Sequence, residues 1–314
     1  MYCIFHYFCK KDRKMQVFRE SGDERVLGLG ELAWMIEGVI SDNFDRGFWI
    51  KAEMARLNLY PESGHCYPDL VEKEGRLVKA QIRGTIWAGN YRRIAKQFLE
   101  FTGETLHDGL QILFFATVKF HPQHGLSLQI TDIDPSYTLG QLAKERMETI
   151  RRLKEEGLFD MNRGLAFPIL PKRIAVISVQ TSKGYSDFMN ILASQGKDFR
   201  LNITLFPALL QGDRAVDSIL GQLKAIRKMH GQFDVAAIIR GGGGDVGLSC
   251  YDNYLLAREV AAFPIPVLTG IGHSTNETVV EMVAARNKIT PTDVAYSLLE
   301  PFQVLARRLE ELGN

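Results

Sequence analysis

The sequence predicts a multidomain α/β protein: a small closed β-barrel, then a mainly parallel α/β domain. Three observations predict it. From Gly47 to Ile133 apolar residues recur at period two in five short runs, with one helical stretch before the fourth. After Lys172, short apolar runs alternate with amphipathic helical segments. Between them, Gln141 to Leu158 mixes Lys and Arg with Glu over a modest apolar stripe, which reads as a solvated helical linker. A length of 314 residues suits about two domains at roughly 100–200 residues each.

The expected boundaries are a disordered leader over 1–26, the barrel over 27–136, the linker over 137–165, the α/β domain over 166–300 and the start of a C-terminal helix over 301–314. In the leader, Tyr2 to Phe8 is apolar and short, and the basic Lys10-Lys11-Asp12-Arg13-Lys14 follows it. A signal peptide would carry its charges first. The segment reads as a disordered leader, as an upstream start with Met15 the natural one, or as a docking peptide.

Gly30 to Ile40 has helical apolar spacing. From Gly47 the period becomes two, with Phe48, Ile50, Ala52 and Met54 on one face and Trp49, Lys51, Glu53 and Ala55 on the other. After the turn Pro61-Glu62-Ser63-Gly64, strands are expected near His65–Val71, at Leu77–Trp87, at Leu110–Phe120 and at Leu126–Ile133, with a helix over Arg92–Phe101. Five short strands with a helix before the fourth fit an OB-fold. Arg76, Lys79, Arg83, Arg92, Arg93 and Lys96 occur with no Asp or Glu between Arg76 and Lys96, and Trp87 and Tyr91 lie among them. Such a stretch suits a phosphate backbone with stacked bases. It equally suits a solvated strand face with Trp87 in the core.

In the second domain the expected strands are Ile174–Ser178, Ile203–Phe206, Val235–Ile239 and Pro266–Thr269. The expected helices are Tyr185–Ala193, Asp213–Met229, Asp252–Ala262 and Thr275–Ala285, the last broken by Thr290-Pro291-Thr292 before a new helix from Val294 to Leu312. This alternation implies a mainly parallel sheet covered on both faces.

Composition excludes little. The net charge of +1 neither requires nor forbids a nucleic-acid partner. Cys3, Cys9, Cys66 and Cys250 match no zinc spacing and are too sparse for a disulfide framework, which suits a reducing cytoplasm. No apolar run approaches the roughly 18–20 residues of a membrane span.

The chemistry concentrates at strand ends, where ligands of parallel sheets bind. Ser182 precedes a helix that carries Asp187 one turn in; Gln211-Gly212-Asp213 follows the second strand. Arg240 leads into Gly241, Gly242, Gly243 and Gly244, and Gly272 leads into His273, Ser274, Thr275 and Asn276. Glycine turns and helix N-termini accept anions, and Arg presents a charged fork to phosphate oxygens. His273 is a candidate acid, base or nucleophile, and Asp187 would orient it or hold a water or a metal. The set suits phosphodiester hydrolysis. A glycine run also turns a chain or binds a nucleotide cofactor, and a lone loop histidine is often structural.

Several spaced motifs resemble the large subunit of exodeoxyribonuclease VII, from about Leu29 to Leu299. They are Ser63-Gly64-His65, Gly157-Leu158-Phe159-Asp160, Pro171-Lys172-Arg173-Ile174-Ala175-Val176-Ile177, Asp187-Phe188-Met189-Asn190-Ile191-Leu192, Arg240-Gly241-Gly242-Gly243, Gly272-His273 and Thr290-Pro291-Thr292. The resemblance implies an OB-fold that binds single-stranded DNA, and the basic stretch with Arg76, Lys79, Arg83, Trp87, Arg92 and Arg93 would then guide the strand. It implies a nuclease domain degrading such strands from both ends to oligonucleotides with 5′-phosphates, with no cofactor or with Mg²⁺. The implied catalytic positions are Asp187, Arg240, His273 and Asn276. By their turn chemistry, Ser182, Gly241, Gly242, Gly243 and Gly272 would hold phosphate oxygens. Where the family pattern has Asp, this chain has Asn276, an amide that cannot ionise; Asn276 then orients a partner, or Glu277 takes the role. The implied partners are single-stranded DNA, a small subunit bound by long C-terminal helices, and further copies of the chain, without a membrane. The chain stops at Asn314 inside what reads as the first such helix, so the expectation is that this shortened chain loses most small-subunit binding and, with it, full activity. Two other readings remain: a strand-binding protein with a degenerate catalytic domain, and an enzyme that binds a nucleotide at its glycine turns.

Overall fold

A computed structural model describes residues 26–75, 77–212, 214–241, 246–272 and 277–313. A first helix, α1 (Leu29–Asn43), lies against the outside of a closed barrel of β1 (Gly47–Arg56), β2 (Asp69–Glu74), β3 (Leu77–Thr85), β4 (Leu110–His121) and β5 (Gly125–Asp134), in the order β1-β2-β3-β5-β4. Helix α2 (Ala88–Thr102) sits between β3 and β4 in sequence and plugs the barrel with Ile94 and Phe98. Alternation along β4 places Leu110, Ile112, Phe114 and Ala116 inside, as the period-two pattern requires. The second strand begins at Asp69 rather than near His65, because Leu57 to Pro68 forms its own loop, pinned by bridges from Cys66 to Leu59 and Ile86.

Helix α3 (Pro135–Glu155) follows directly. Its charge pattern predicts a solvated helix, but Thr138, Thr149 and Leu153 are buried. The turn after it places Asn162 in the core with no exposed surface. The Asn162 amide donates to the carbonyls of Phe263 (3.1 Å) and Ile265 (3.0 Å) and accepts from the N–H groups of Val267 (2.9 Å) and Ala285 (3.0 Å). Two donors and two lone pairs are all an amide has.

The second sheet contains β6 (Arg173–Ser178), β7 (Asn202–Pro207), β8 (Val235–Ile239), β9 (Val267–Gly270) and a two-residue strand, β10 (Arg286–Asn287). All pairings are parallel, in the order β10-β9-β8-β6-β7. Helices α4 (Lys183–Gln195) and α8 (Pro291–Gly313) cover one face, packing Phe188, Leu192, Val294 and Leu298 on Ile174, Val176, Ala237 and Leu268. The other face takes Leu153 of α3 together with α5 (Ala215–Lys228), α6 (Tyr254–Ala261) and α7 (Val279–Val283). Both faces are buried, so these strands are continuously apolar.

Three expected boundaries change. The helix expected over Thr275–Ala285 is only Val279–Val283: Thr278 caps it in a reciprocal pair with Glu281, and the chain then extends into β10. The helix expected from Asp252 begins at Tyr254, after a 3-10 turn at Ser249–Asp252 and a cap by Asn253. Thr290-Pro291-Thr292 starts α8 instead of breaking a helix. Pro291 is its first residue, and Thr290 and Asp293 exchange side-chain-to-backbone hydrogen bonds of 3.1 Å.

At the opposite end of the sheet, Asp234 accepts from the backbone N–H of Lys172 and Arg173 and from the Arg173 guanidinium. Burial pushes its carboxyl up, but the Arg173 and backbone hydrogen bonds outweigh burial and hold it below the ordinary 3.8. A lowered carboxyl stabilises the fold above its unfolded-state value and loses that effect as pH falls through the folded-state value. Asp234→Asn is therefore expected to be less stable than the parent at neutral pH. The gap should close on acidification below about pH 4. Urea denaturation of both proteins at each pH measures it, and a gap that persists in acid would contradict this account.

Candidate active site

In the order β7-β6-β8 the chain reverses direction across the sheet, leaving a crevice at the carboxyl ends of β6 and β8. The buried Ser178 hydroxyl at the end of β6 donates to the Ile239 carbonyl (2.8 Å) and ties the two strand ends together. The chain from β6 then enters α4, capped by Ser182, whose Oγ accepts the Tyr185 N–H (3.2 Å). The chain from β8 passes through Arg240 to Gly241. These two paths touch backbone to backbone: a Cβ on Gly184 would lie 2.3 Å from Gly241 Cα, and one on Gly241 would lie 2.0 Å from Gly184 Cα. A Cβ on Gly184 would also meet Pro291 Cγ at 2.9 Å, which brings the start of α8 to the same point.

The end of β9 closes the group. A Cβ on Gly270 would meet Val294 Cγ2 at 2.6 Å, and Gly272, at φ +83°, lies under the Ile289 carbonyl. The turn after β7 approaches through Gln211, next to Gly247. Ser182, Asp187, Arg240, Gly241 and Gly272 thus sit on elements that meet at one rim. Asp187 is half-buried on the first turns of α4, and its carboxylate makes no hydrogen bond or ion pair among the described residues. Gly242, Gly243, His273 and Asn276 lie outside the described residues, as do Asp213 and Arg76.

Arg240 differs from the open charged fork that its position suggests. It is 5% exposed, and its Nη2 donates to the Val246 carbonyl, so the guanidinium is committed within the chain rather than open to solvent. Burial pushes the Cys250 thiol up to about 12 and the Tyr251 hydroxyl well above its ordinary value, and the Arg240 charge works against both shifts. Glu277 is also committed: its carboxylate accepts from Asn287 Nδ2 (3.2 Å), and its carbonyl accepts from Arg146. Among the described residues no group of three His, Cys, Asp or Glu side chains is placed to hold a metal ion.

The barrel meets this loop directly. At the C-terminal end of α2, the Gly103 carbonyl accepts the Gly247 N–H (3.2 Å), and the buried Glu104 carboxylate accepts the Ser249 N–H (3.0 Å). At the other end of α2, Trp87 is 45% exposed, which removes the reading of a core tryptophan. Lys79 pairs with Glu74 (2.8 Å) and Arg83 more loosely with Asp69 (3.8 Å). Arg93 is held by Asp132 and the Thr131 carbonyl, whereas Arg92 is exposed with no partner among the described residues. Gly184, Pro291 and Glu104 shape the site and were not singled out as site residues from the sequence. Pro291 stands inside the Thr290-Pro291-Thr292 motif, but nothing local marks Gly184 or Glu104.

The family profile described as exonuclease VII, large subunit, matches residues 158–314, and that of an OB-fold nucleic acid binding domain matches residues 27–134. The exodeoxyribonuclease 7 large subunit of Deinococcus radiodurans is 35% identical over 300 residues, covering 93% of this chain and 71% of that protein. The chain belongs to the exonuclease VII large-subunit family. The large subunit of Syntrophotalea carbinolica is 31% identical, over 92% of this chain and 68% of that protein. That of Rhodopirellula baltica is 29% identical, over 94% and 63%. The family's two parts coincide with the barrel and with the parallel sheet and its rim. No helix among the described residues is long and apolar enough to cross a membrane.

Proposed function

We propose that this chain carries the strand-binding barrel and the catalytic rim of an exodeoxyribonuclease, which hydrolyses single-stranded DNA from both ends to oligonucleotides with 5′-phosphates. The observation that carries this reading, beside family membership, is the convergence of the α4 N-terminus with the Arg240–Gly241 turn at the crevice between β6 and β8. Exposed backbone amides at a helix start and a glycine turn suit a phosphate. A water attacks phosphorus, the P–O3′ bond breaks, and the pieces leave with a 3′-hydroxyl and a 5′-phosphate. Arg240 holds the loop and contributes positive charge where charge develops. His273 moves the proton and Asp187 orients it or the water, with Asn276 as a neutral orienting group. Gly242, Gly243 and Gly272 extend the amide cradle. Lys79, Arg83, Arg92, Arg93 and Trp87 guide the strand, together with Arg76 of the same basic stretch. The partners are single-stranded DNA, a small subunit and further copies of the chain, and the location is the cytoplasm. Were Mg²⁺ bound at this rim, Asp187, half-buried on the first turns of α4, would be a carboxylate to hold it, and the ion would offset charge developing on the phosphate.

The test is cleavage of end-labelled single- and double-stranded DNA, with and without EDTA, by the full-length protein with its small subunit. Arg240→Met is expected to lower kcat/KM by about 10²–10³, the cost of removing one charge-stabilising group, with thermal denaturation run alongside. Unchanged cleavage in Arg240→Met would remove Arg240 from the mechanism. Strand binding without cleavage in the parent would favour a second reading, a binding protein with a degenerate catalytic domain, which the amide at Asn276 motivates. Asn276→Asp would then be the variant to restore activity.

A further inference from the structure

The loop Leu57–Pro68 holds a feature that the basic stretch does not explain. Four aromatic rings run in a row across it and onto the start of α2. Tyr60 and Tyr67 lie 5.5 Å apart at 81°, Tyr67 and His65 6.4 Å apart at 76°, and His65 and Trp87 4.9 Å apart at 84°. Each ring thus meets its neighbour edge to face. The two end rings are open to solvent, Tyr60 at 57% and Trp87 at 45%, while His65 and Tyr67 between them are half-buried.

The row is held rigidly. The Tyr60 N–H donates to the His65 carbonyl (2.9 Å) and the Gly64 N–H to the Tyr60 carbonyl (2.8 Å), so the loop closes on itself. The bridge from Cys66 to Ile86 fastens it to the end of β3. His65 Nδ1 accepts the Ala88 N–H (3.0 Å), one of the amides left unpaired at the start of α2, so Nε2 carries the ring proton. That bond fixes the imidazole, and the fixed imidazole braces the Trp87 ring. Exposed aromatics held in place bind bases with little loss of side-chain entropy, and any base offers a π-face. Positive charge follows the row in the chain: Arg92, exposed and with no partner among the described residues, comes five residues after Trp87 on α2.

We propose that Tyr60 and Trp87 each stack a base of the bound single strand, and that His65 is the positioning residue that holds the Trp87 ring. The proposal rests on single-stranded DNA as the substrate and adds where its bases, rather than its phosphates, are gripped.

The test uses the full-length protein with its small subunit and a phosphorothioate oligothymidylate, beside the same backbone with abasic residues. Fluorescence anisotropy reads affinity. Trp87→Ala and Tyr60→Ala are each expected to raise Kd for the thymidylate about five- to hundredfold and to leave abasic binding within about twofold. Trp87→Phe should recover most of the loss while removing the quenching of tryptophan emission that thymidylate produces in the parent. His65→Ala should weaken thymidylate binding and reduce that quenching with Trp87 still present. If the parent binds thymidylate and abasic strands equally, or the variants lose both alike, the stacking role is wrong while the substrate stands. If the parent binds neither strand, the substrate reading itself fails.

Discussion

Gly241→Ala is expected to lower single-strand cleavage about a hundredfold while leaving strand binding by the barrel intact. The new Cβ would sit 2.0 Å from Gly184 Cα and 2.3 Å from Gly184 N, and neither atom belongs to a side chain that can swing away. The start of α4 and the turn after β8 must therefore part by more than about 1 Å, since real contacts of this kind are rarely closer than about 3 Å. Displacements of that size at a reacting centre cost about 10² in rate. The overpacking itself costs about 1–3 kcal/mol, which the large core behind it can absorb. Measuring kcat/KM and strand affinity in the same preparation separates the two effects. Cleavage within about threefold of the parent would show that this contact does not set the rim's geometry.

Asn162→Leu is expected to have the largest effect on stability. Its side chain is nearly the same size, so packing changes little. Four backbone groups lose their partners, two of them buried (the Phe263 carbonyl and the Val267 N–H) and two partly buried (the Ile265 carbonyl and the Ala285 N–H). Each unsatisfied buried group costs about 1–3 kcal/mol, so a total above about 4 kcal/mol follows. That corresponds to a fall in Tm of roughly 8 °C or more for a domain of this size. Denaturant unfolding followed by far-UV circular dichroism checks it. A loss below about 1 kcal/mol would mean that water replaces the amide at this site.

Much of the architecture was legible because burial on one or both faces leaves a written pattern. The alternation Leu110, Ile112, Phe114, Ala116 encodes a barrel strand, and the unbroken runs of β6 and β8 encode strands covered twice. Two helix boundaries were legible and misread. Thr278 followed by Glu281 is a capping pair that sets the start of α7, and Thr290-Pro291 before Asp293 is a helix start. Strand β10 was not legible, because two residues carry no period. For the site, the residue types at the strand ends could be read, but their mutual contacts could not. That Gly184 needs to be glycine depends on Gly241, 57 positions away in a different unit of the sheet. The burial of Arg240 likewise depends on where the chain returns at Val246.

The two hydrogen bonds that Gly247 and Ser249 donate to Gly103 and Glu104, just past α2, tie the barrel to the segment that follows Val246. Exchange of the barrel for another of the same topology would carry away Gly103 and Glu104, and with them both acceptors. The halves of this chain are thus not interchangeable modules, since the surface that grips the polymer also buttresses the machinery that cuts it.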